Sequence, residues 1–209
     1  RIDLSDRESG GSSKLSPDAS VLSFDNANLV PTLGVRPFDL AKVRRSMLPG
    51  RAHLSVRRLE QKAVIDCLRA RRITWLVSDW GLGHEEFYAC IEHALVGSGS
   101  GYLLDFSAYE SRGDFLDSIQ QNLGASFQSI SDAIADSGPS LVIFSDIDPG
   151  RTEDEGRRVQ LDVEALAQAF SDFAPESYVI LLGRNFPRSS SFGVSELKPL
   201  GEADLAVYL

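Results

Sequence analysis

The chain has 209 residues, 43% of them apolar and 24% charged, which suits one compact domain and is too short for two of ordinary size. Leu, Val, Ile and Phe are plentiful, so wholesale disorder, a collagen-like fibre and a mucin-like stalk are excluded. The net charge of −9 disfavours a general polyanion binder.

That charge is uneven. From Lys42 to Arg72 ten basic side chains stand against only Glu60 and Asp66, a local +8, suited to phosphates, an acidic partner or the acidic remainder of the same domain, the last being the simplest reading. No apolar run approaches the ~20 residues that cross a bilayer, and the start lacks a secretory-signal pattern, so no membrane partner is expected. The sequence opens on Arg1 rather than Met, from which a piece of a longer chain is expected. Cys67 and Cys90 have no CxxC or zinc spacing. Both read as buried apolar residues in a reducing cytoplasm.

In chain order, residues 1–40 read as an N-terminal linker or arm, Ser-, Asp- and Gly-rich at first and then apolar but broken by Pro31 and Pro37. Leu40, Val43 and Met47 have the spacing of one short helix. Ser55 is placed to cap a helix whose apolar face is Val56, Leu59, Ala63, Cys67 and Leu68, ending near Arg72. Ile73 to Val77 then reads as a strand, Ser78 to Gly83 as a glycine turn, and the pattern through Phe87, Cys90, Ile91, Ala94 and Leu95 as a helix. Next come a strand at Tyr102–Phe106, helices at Asp114–Leu123 and Ser126–Asp136, and a buried strand at Leu141–Phe144. A polar loop from Pro149 to Gly156 leads into a long helix carrying Val159, Val163, Leu166 and Phe170. Tyr178–Leu182 is another buried strand, Val194–Leu200 a last short one, and Glu202–Leu209 the start of a helix.

Continuous apolar strands alternating with helices predict a three-layer α/β domain with a mostly parallel sheet over residues 41–200, with 201–209 opening a following helical subdomain. Ile73–Val77 is expected at the centre, flanked by the strands at 141–144 and 178–182. In such sheets ligands sit beyond the carboxyl ends of the strands, which directs attention to the residues after Val77, Phe144 and Leu182.

A phosphate-binding loop needs glycines that let backbone N–H groups wrap a phosphate, a Lys for the outer phosphates and a hydroxyl on Mg²⁺. Gly81 and Gly83 stand between strand and helix as required, but Ser78 replaces the first glycine, His84 the lysine and Glu85 the hydroxyl. Where two acids should close the apolar strand, one supporting Mg²⁺ and one polarising water, the chain has Ser145 and Asp146. Arg184 follows the next strand.

This order of pieces, with Leu48-Pro49-Gly50-Arg51 before the first helix and Glu196 to Leu200 near the end, resembles the nucleotide-binding domain of signal-transduction ATPases with numerous domains, the STAND family of NB-ARC and NACHT regulators. The resemblance spans roughly residues 48–209 and implies a P-loop NTPase-like fold, Arg51 beside the adenine, and Arg184 as the family's arginine after the fourth strand. It also implies a degenerate site of Arg51, Gly81, Gly83, His84, Glu85, Asp146 and Arg184, with no catalytic residue, no metal and no ATP hydrolysis expected. The expected role is a regulatory or assembly module of a larger signalling or defence protein, partnered by other domains of its chain or by a second copy. The alternative within the family is ATP or ADP held without tightly bound Mg²⁺, although His, with an ordinary pKa near 6.5, replaces Lys poorly.

Simpler readings stand beside these. His84 is placed to be a surface residue at a helix start, Trp80 to shield the strand end, Asp146 and Asp148 to cap a turn, and Arg184 to pair with one of them. Two further classes remain open: an enzyme using Glu85, Asp146 and Asp148 as a metal site, and a nucleic-acid module using the 42–72 arginines, which lacks interleaved aromatics.

Overall fold

The computed structural model describes residues 37–45, 48–107, 109, 111–147 and 153–208. Residues 1–36 of the arm expected over 1–40, Met47, Asp148 and the loop through Thr152 lie outside them. The domain is a mixed α/β fold with one six-stranded sheet, parallel except at one edge. Its strands are β1 (Arg44–Arg45), β2 (Ile73–Ser78), β3 (Gly101–Asp105), β4 (Leu141–Ile147), β5 (Tyr178–Gly183) and β6 (Gly193–Leu197), in the order β1-β3-β4-β5-β2-β6. The helices are α1 (Arg51–Ser55), α2 (Arg58–Arg71), α3 (His84–Leu95), α4 (Arg112–Leu123), α5 (Phe127–Asp136), α6 (Glu153–Phe173) and α7 (Glu202–Tyr208).

Strands buried on both faces need two helical layers, and alternate strand residues supply one core each. On one side Val142, Phe144, Val179 and Leu181 meet α4, α5 and α6 through Phe115, Ile119, Ile130, Ile134, Val163, Leu166 and Phe170. On the other, Leu141, Ile143, Ile180 and Leu182 meet α2 and α3 through Val64, Leu68, Phe87, Tyr88 and Ile91. Ser111 and Ser126 cap α4 and α5 by accepting the N–H groups of Asp114 and Ser129.

Several expectations are corrected. β2 does run parallel inside the sheet, but its neighbours are β5 and β6; the strand at 141–144 pairs with β3 and β5. β5 fits between β2 and β4 because it ends in Gly183, paired with both Val77 and Ile147, where a Cβ would stand 3.2 Å from the Ile147 carbonyl oxygen. The helix expected at Leu40–Met47 is a single 3₁₀ turn over Leu40–Lys42, followed by the edge strand β1. Ser55 caps nothing: it closes α1, and α2 starts after Arg57, whose left-handed backbone (φ 53°) breaks the helical phase. The buried face of α2 is therefore Val64 and Leu68, while Leu59 is 82% exposed and Ala63 lies on the surface. The loop expected to reach Gly156 gives way to helix at Glu153, where three acidic residues favour the N-terminal dipole.

The basic segment does not form one patch. Lys42 donates to the Leu123 carbonyl at the end of α4 (2.8 Å), Arg71 donates to the Ser191 carbonyl, Arg72 stacks on Tyr178 (4.8 Å), and Lys62 pairs with Asp66. Arg45 and Arg57 are largely buried. Several of these cations are thus engaged within the domain, but mostly by backbone carbonyls and aromatic rings; of the ion pairs among the described residues, Lys62–Asp66 lies within the segment and Arg45–Glu85 reaches an acid outside it.

Candidate functional site

β2 ends at Ser78 and α3 begins at His84, and the intervening turn is permitted by Gly81 (φ 76°) and Gly83 (φ 70°). Asp79 tightens it by accepting the Trp80 N–H at 2.8 Å. Gly83 caps α3 without a side-chain acceptor, and Glu85 and Glu86 lie in the first turn, where the helix dipole favours carboxylates.

β4 carries a register slip between Phe144 and Ile147, and within it Asp146 adopts φ 56°, an irregularity of the kind that re-aims a side chain. Asp146 is exposed and Ser145 buried. β5 ends at Gly183, and the Arg184 guanidinium lies 4.3 Å from the centre of the Trp80 ring, a cation–π arrangement.

These strand ends enclose a cavity of about 100 Å³ lined by Ser78, Asp79, Trp80, His84, Asp146, Ile147, Leu182, Gly183, Arg184 and Asn185. It brings His84, Asp146 and Arg184 together. Among the described residues Arg184 makes no ion pair with Asp146 and covers Trp80 instead.

The remaining candidates lie elsewhere. Glu85 pairs with Arg45 (3.8 Å). Gly81 and Gly83 line a second cavity of about 460 Å³ with His53, Val56, Arg57, Leu82, Phe87, Pro199 and Leu205. Arg51 opens α1 and is exposed, in neither lining set. His53 and Arg57, two and six positions beyond it, take the place beside the glycine turn. The Gly-Arg pattern by itself points to neither residue, although His53 lies within the same helical turn as Arg51.

The electrostatics centre on Tyr88, beneath the turn. Burial pushes its hydroxyl up to about 12, the Arg45 guanidinium pulls the other way, and Glu85, Asp146 and Glu86 add to the rise. Arg45 lies 3.8 Å over the Tyr88 ring, and the His84 ring packs 5.8 Å from it, tilted by 30°. The Nδ1 of His84 and the Oγ of Ser145 are buried without a protein partner among the described residues. Glycine-turn N–H groups, His84 and Arg184 can offer hydrogen bonds or positive charge to an anion, whereas Asp146 and Glu85 oppose one. No group of three or more His, Cys, Asp or Glu among the described residues could hold a metal ion. Asp148, the third carboxylate of the metal reading, lies outside them.

No family model matches this chain, and no curated protein matches it. Among solved structures it is similar to a Walker-type ATPase of Pyrococcus abyssi, at 15% identity and a TM-score of 0.47, over 77% of this chain and 58% of that one. It is also similar to a STAND protein with a tetratricopeptide repeat sensor from Pyrococcus horikoshii, at 18% identity and a TM-score of 0.38, over 68% and 23% of the two chains. A third similarity is to PCH-2 of C. elegans, at 11% identity and a TM-score of 0.37, over 75% and 42%. The chain spans less than two thirds of each, and at these identities the likeness is one of fold. No helix among the described residues is long and apolar enough to cross a membrane.

Proposed function

We propose that this chain is a degenerate, P-loop NTPase-like module that does not hydrolyse nucleotide and acts as a regulatory or assembly domain of a larger signalling or defence protein. The observation that carries the reading is the cavity at the strand ends. At about 100 Å³ it is well below the roughly 300–1,000 Å³ of an ordinary ligand site, and Arg184 lying on Trp80 closes one side of it. The altered chemistry agrees: His84 stands at the lysine position, Glu85 is engaged by Arg45, and Ser145, where the first acid should be, is buried. In this reading α7 opens the following helical subdomain. A turnover assay with Mg²⁺ and ATP or GTP is expected to give no phosphate release above background. Release that disappears in Asp146→Asn would overturn the reading.

A second reading is favoured by the neighbouring cavity. Its volume of about 460 Å³, bounded by the glycine turn and by Val56, Phe87, Pro199 and Leu205, fits an adenine nucleotide held without tightly bound Mg²⁺. Titration with ADP or ATP, with Mg²⁺ and with a chelator, separates the two. Binding that survives the chelator supports the second reading, and the absence of binding supports the first.

A further inference from the structure

Arg57 occupies the junction between α1 and α2 and, among the described cations of the basic segment, combines a left-handed backbone with burial. Its backbone is left-handed (φ 53°, ψ 35°), a conformation that a residue with a Cβ adopts reluctantly. It is only 6% exposed. Its amide N–H donates to Oδ1 of Asp204 in α7 at 3.1 Å, and its Nη2 donates to the Leu82 carbonyl inside the glycine turn at 2.9 Å. Its own carbonyl accepts the Gln61 N–H at 2.9 Å, opening α2. The side chain of Gln61 fixes the junction from behind, donating to the carbonyls of Val56 (2.8 Å) and His53 (3.1 Å). One residue therefore holds a turn 25 positions away and a helix 147 positions away.

A mere break between two helices does not need these contacts. Glycine or asparagine takes a positive φ more easily, and a guanidinium is an expensive group to bury for spacing alone. The anchor behind Arg57 is firm, because Val56 is buried and α2 is seated on the sheet by Val64 and Leu68.

We propose that Arg57 is a positioning residue that ties the glycine turn to α7, so that displacement of either segment is transmitted to the other. The tie has two separable halves. Its backbone N–H grips α7 and its guanidinium grips the turn. Arg57, Gly81, Leu82, Gly83 and Leu205 all line the larger cavity, so a change of contents or shape there is felt by both halves at once. The proposal goes beyond the functional reading above and does not require that a nucleotide bind.

The two halves make a double-mutant cycle possible, read in ¹H–¹⁵N spectra of the whole chain. Asp204→Ala removes the acceptor on α7. It is expected to shift or broaden the amide signals of Gly81 and Gly83 as well as those of Ala203 and Ala206. Arg57→Gly keeps the backbone N–H and releases the φ constraint but loses the bond to Leu82. In that background Asp204→Ala is expected to move the α7 signals alone. Arg57→Asn, which tolerates a positive φ and is too short to make the guanidinium contact, gives the same comparison should glycine loosen the junction. A purely structural Arg57 predicts otherwise. The proposal is overturned if Asp204→Ala leaves Gly81 and Gly83 unmoved in the parent chain, or moves them equally in the Arg57→Gly and Arg57→Asn backgrounds. Nucleotide turnover and binding play no part in the readout, so the functional reading can fail while this one stands.

Discussion

Tyr88 is one of three groups, with Cys90 and Tyr109, whose protons the fold holds on at alkaline pH. Its hydroxyl is held up to about 12, chiefly by burial, against an ordinary value of 10.0. Below pH 10 folded and unfolded chains both keep the Tyr88 proton, and its contribution to stability is fully present. Above it the unfolded chain loses the proton first and is favoured, so stability falls progressively as pH rises from 10 towards 12, each pKa unit being worth about 1.4 kcal/mol. Denaturant midpoints for the parent chain and Tyr88→Phe are expected to coincide at pH 8 and to diverge above pH 10, the phenylalanine variant losing less. A parallel decline of both would show that another group governs that edge.

On α2, two leucines of the same helix separate just as sharply. Leu68 is fully buried and Leu59 is 82% exposed, so Leu68→Ala is expected to destabilise by about 2–5 kcal/mol and Leu59→Asp by no more than about 0.5 kcal/mol, as read by denaturant unfolding. The sequence pattern suggested the reverse for Leu59, because Val56, Leu59 and Ala63 keep helical spacing if the helix is continuous through residue 57. What breaks it is one left-handed residue, and an arginine carries no sign of that in its letter.

Between elements, the tightest fit is at the start of β3. The buried carboxylate of Glu92, near the end of α3, accepts the N–H groups of Gly99 (2.6 Å) and Ser100 (2.9 Å) and fixes the connection from helix to strand. A Cβ on Gly101 would stand 2.5 Å from Glu92 Oε2 and 2.9 Å from its Cδ, and a carboxylate already holding two donors cannot retreat without leaving them unpaired. Gly101→Ala is therefore expected to lower the unfolding midpoint by an amount equivalent to about 1–3 kcal/mol, and Glu92→Ala to lower it comparably. If Gly101→Ala proves neutral, the connection is softer than its hydrogen bonds imply. The elements themselves were legible in the sequence: the strand at Tyr178–Leu182, the helices capped by Ser111 and Ser126 and the glycine turn at 81–83 announce themselves by apolar runs and by turn chemistry. Strand order was not. β4 and β5 are both near-continuous apolar runs, which does not say which strand each pairs with, and the pairing is decided by close approaches such as that at Gly183. The candidate site was legible to the same degree, since Asp146, His84 and Arg184 follow strand ends or open a helix. The αL backbone at Asp146 and the placing of His53 and Arg57, rather than Arg51, along the cavity beside the glycine turn arise only from packing.

For the whole molecule, the question is where its uncommitted charge lies. Arg57 is buried, so a surface test of assembly belongs at Arg58 and Arg69, both exposed on the outer side of α2. Should the module act by self-association or by docking on an acidic partner, Arg58→Glu with Arg69→Glu is expected to leave the far-ultraviolet spectrum and unfolding midpoint nearly unchanged while weakening association in low salt. Exposed pairs contribute at most about 1 kcal/mol each and are screened by ions, so the effect should fade by about 0.5 M salt, where the Debye length is roughly half its physiological ~8 Å. Sedimentation showing only monomer at every ionic strength would remove the assembly reading.

The stacking of Arg184 on Trp80 also has an optical consequence. The chain has two tryptophans: Trp75 is sealed in the core with its indole N–H on Glu164 (2.9 Å), while Trp80 is largely exposed under its guanidinium cover. Their environments are so different that the red-shifted share of the emission belongs to Trp80. Anything that draws Arg184 away, whether an anion at the strand ends or a neighbouring surface, changes the quenching of that one fluorophore, and the molecule thereby reports on its own site without a label.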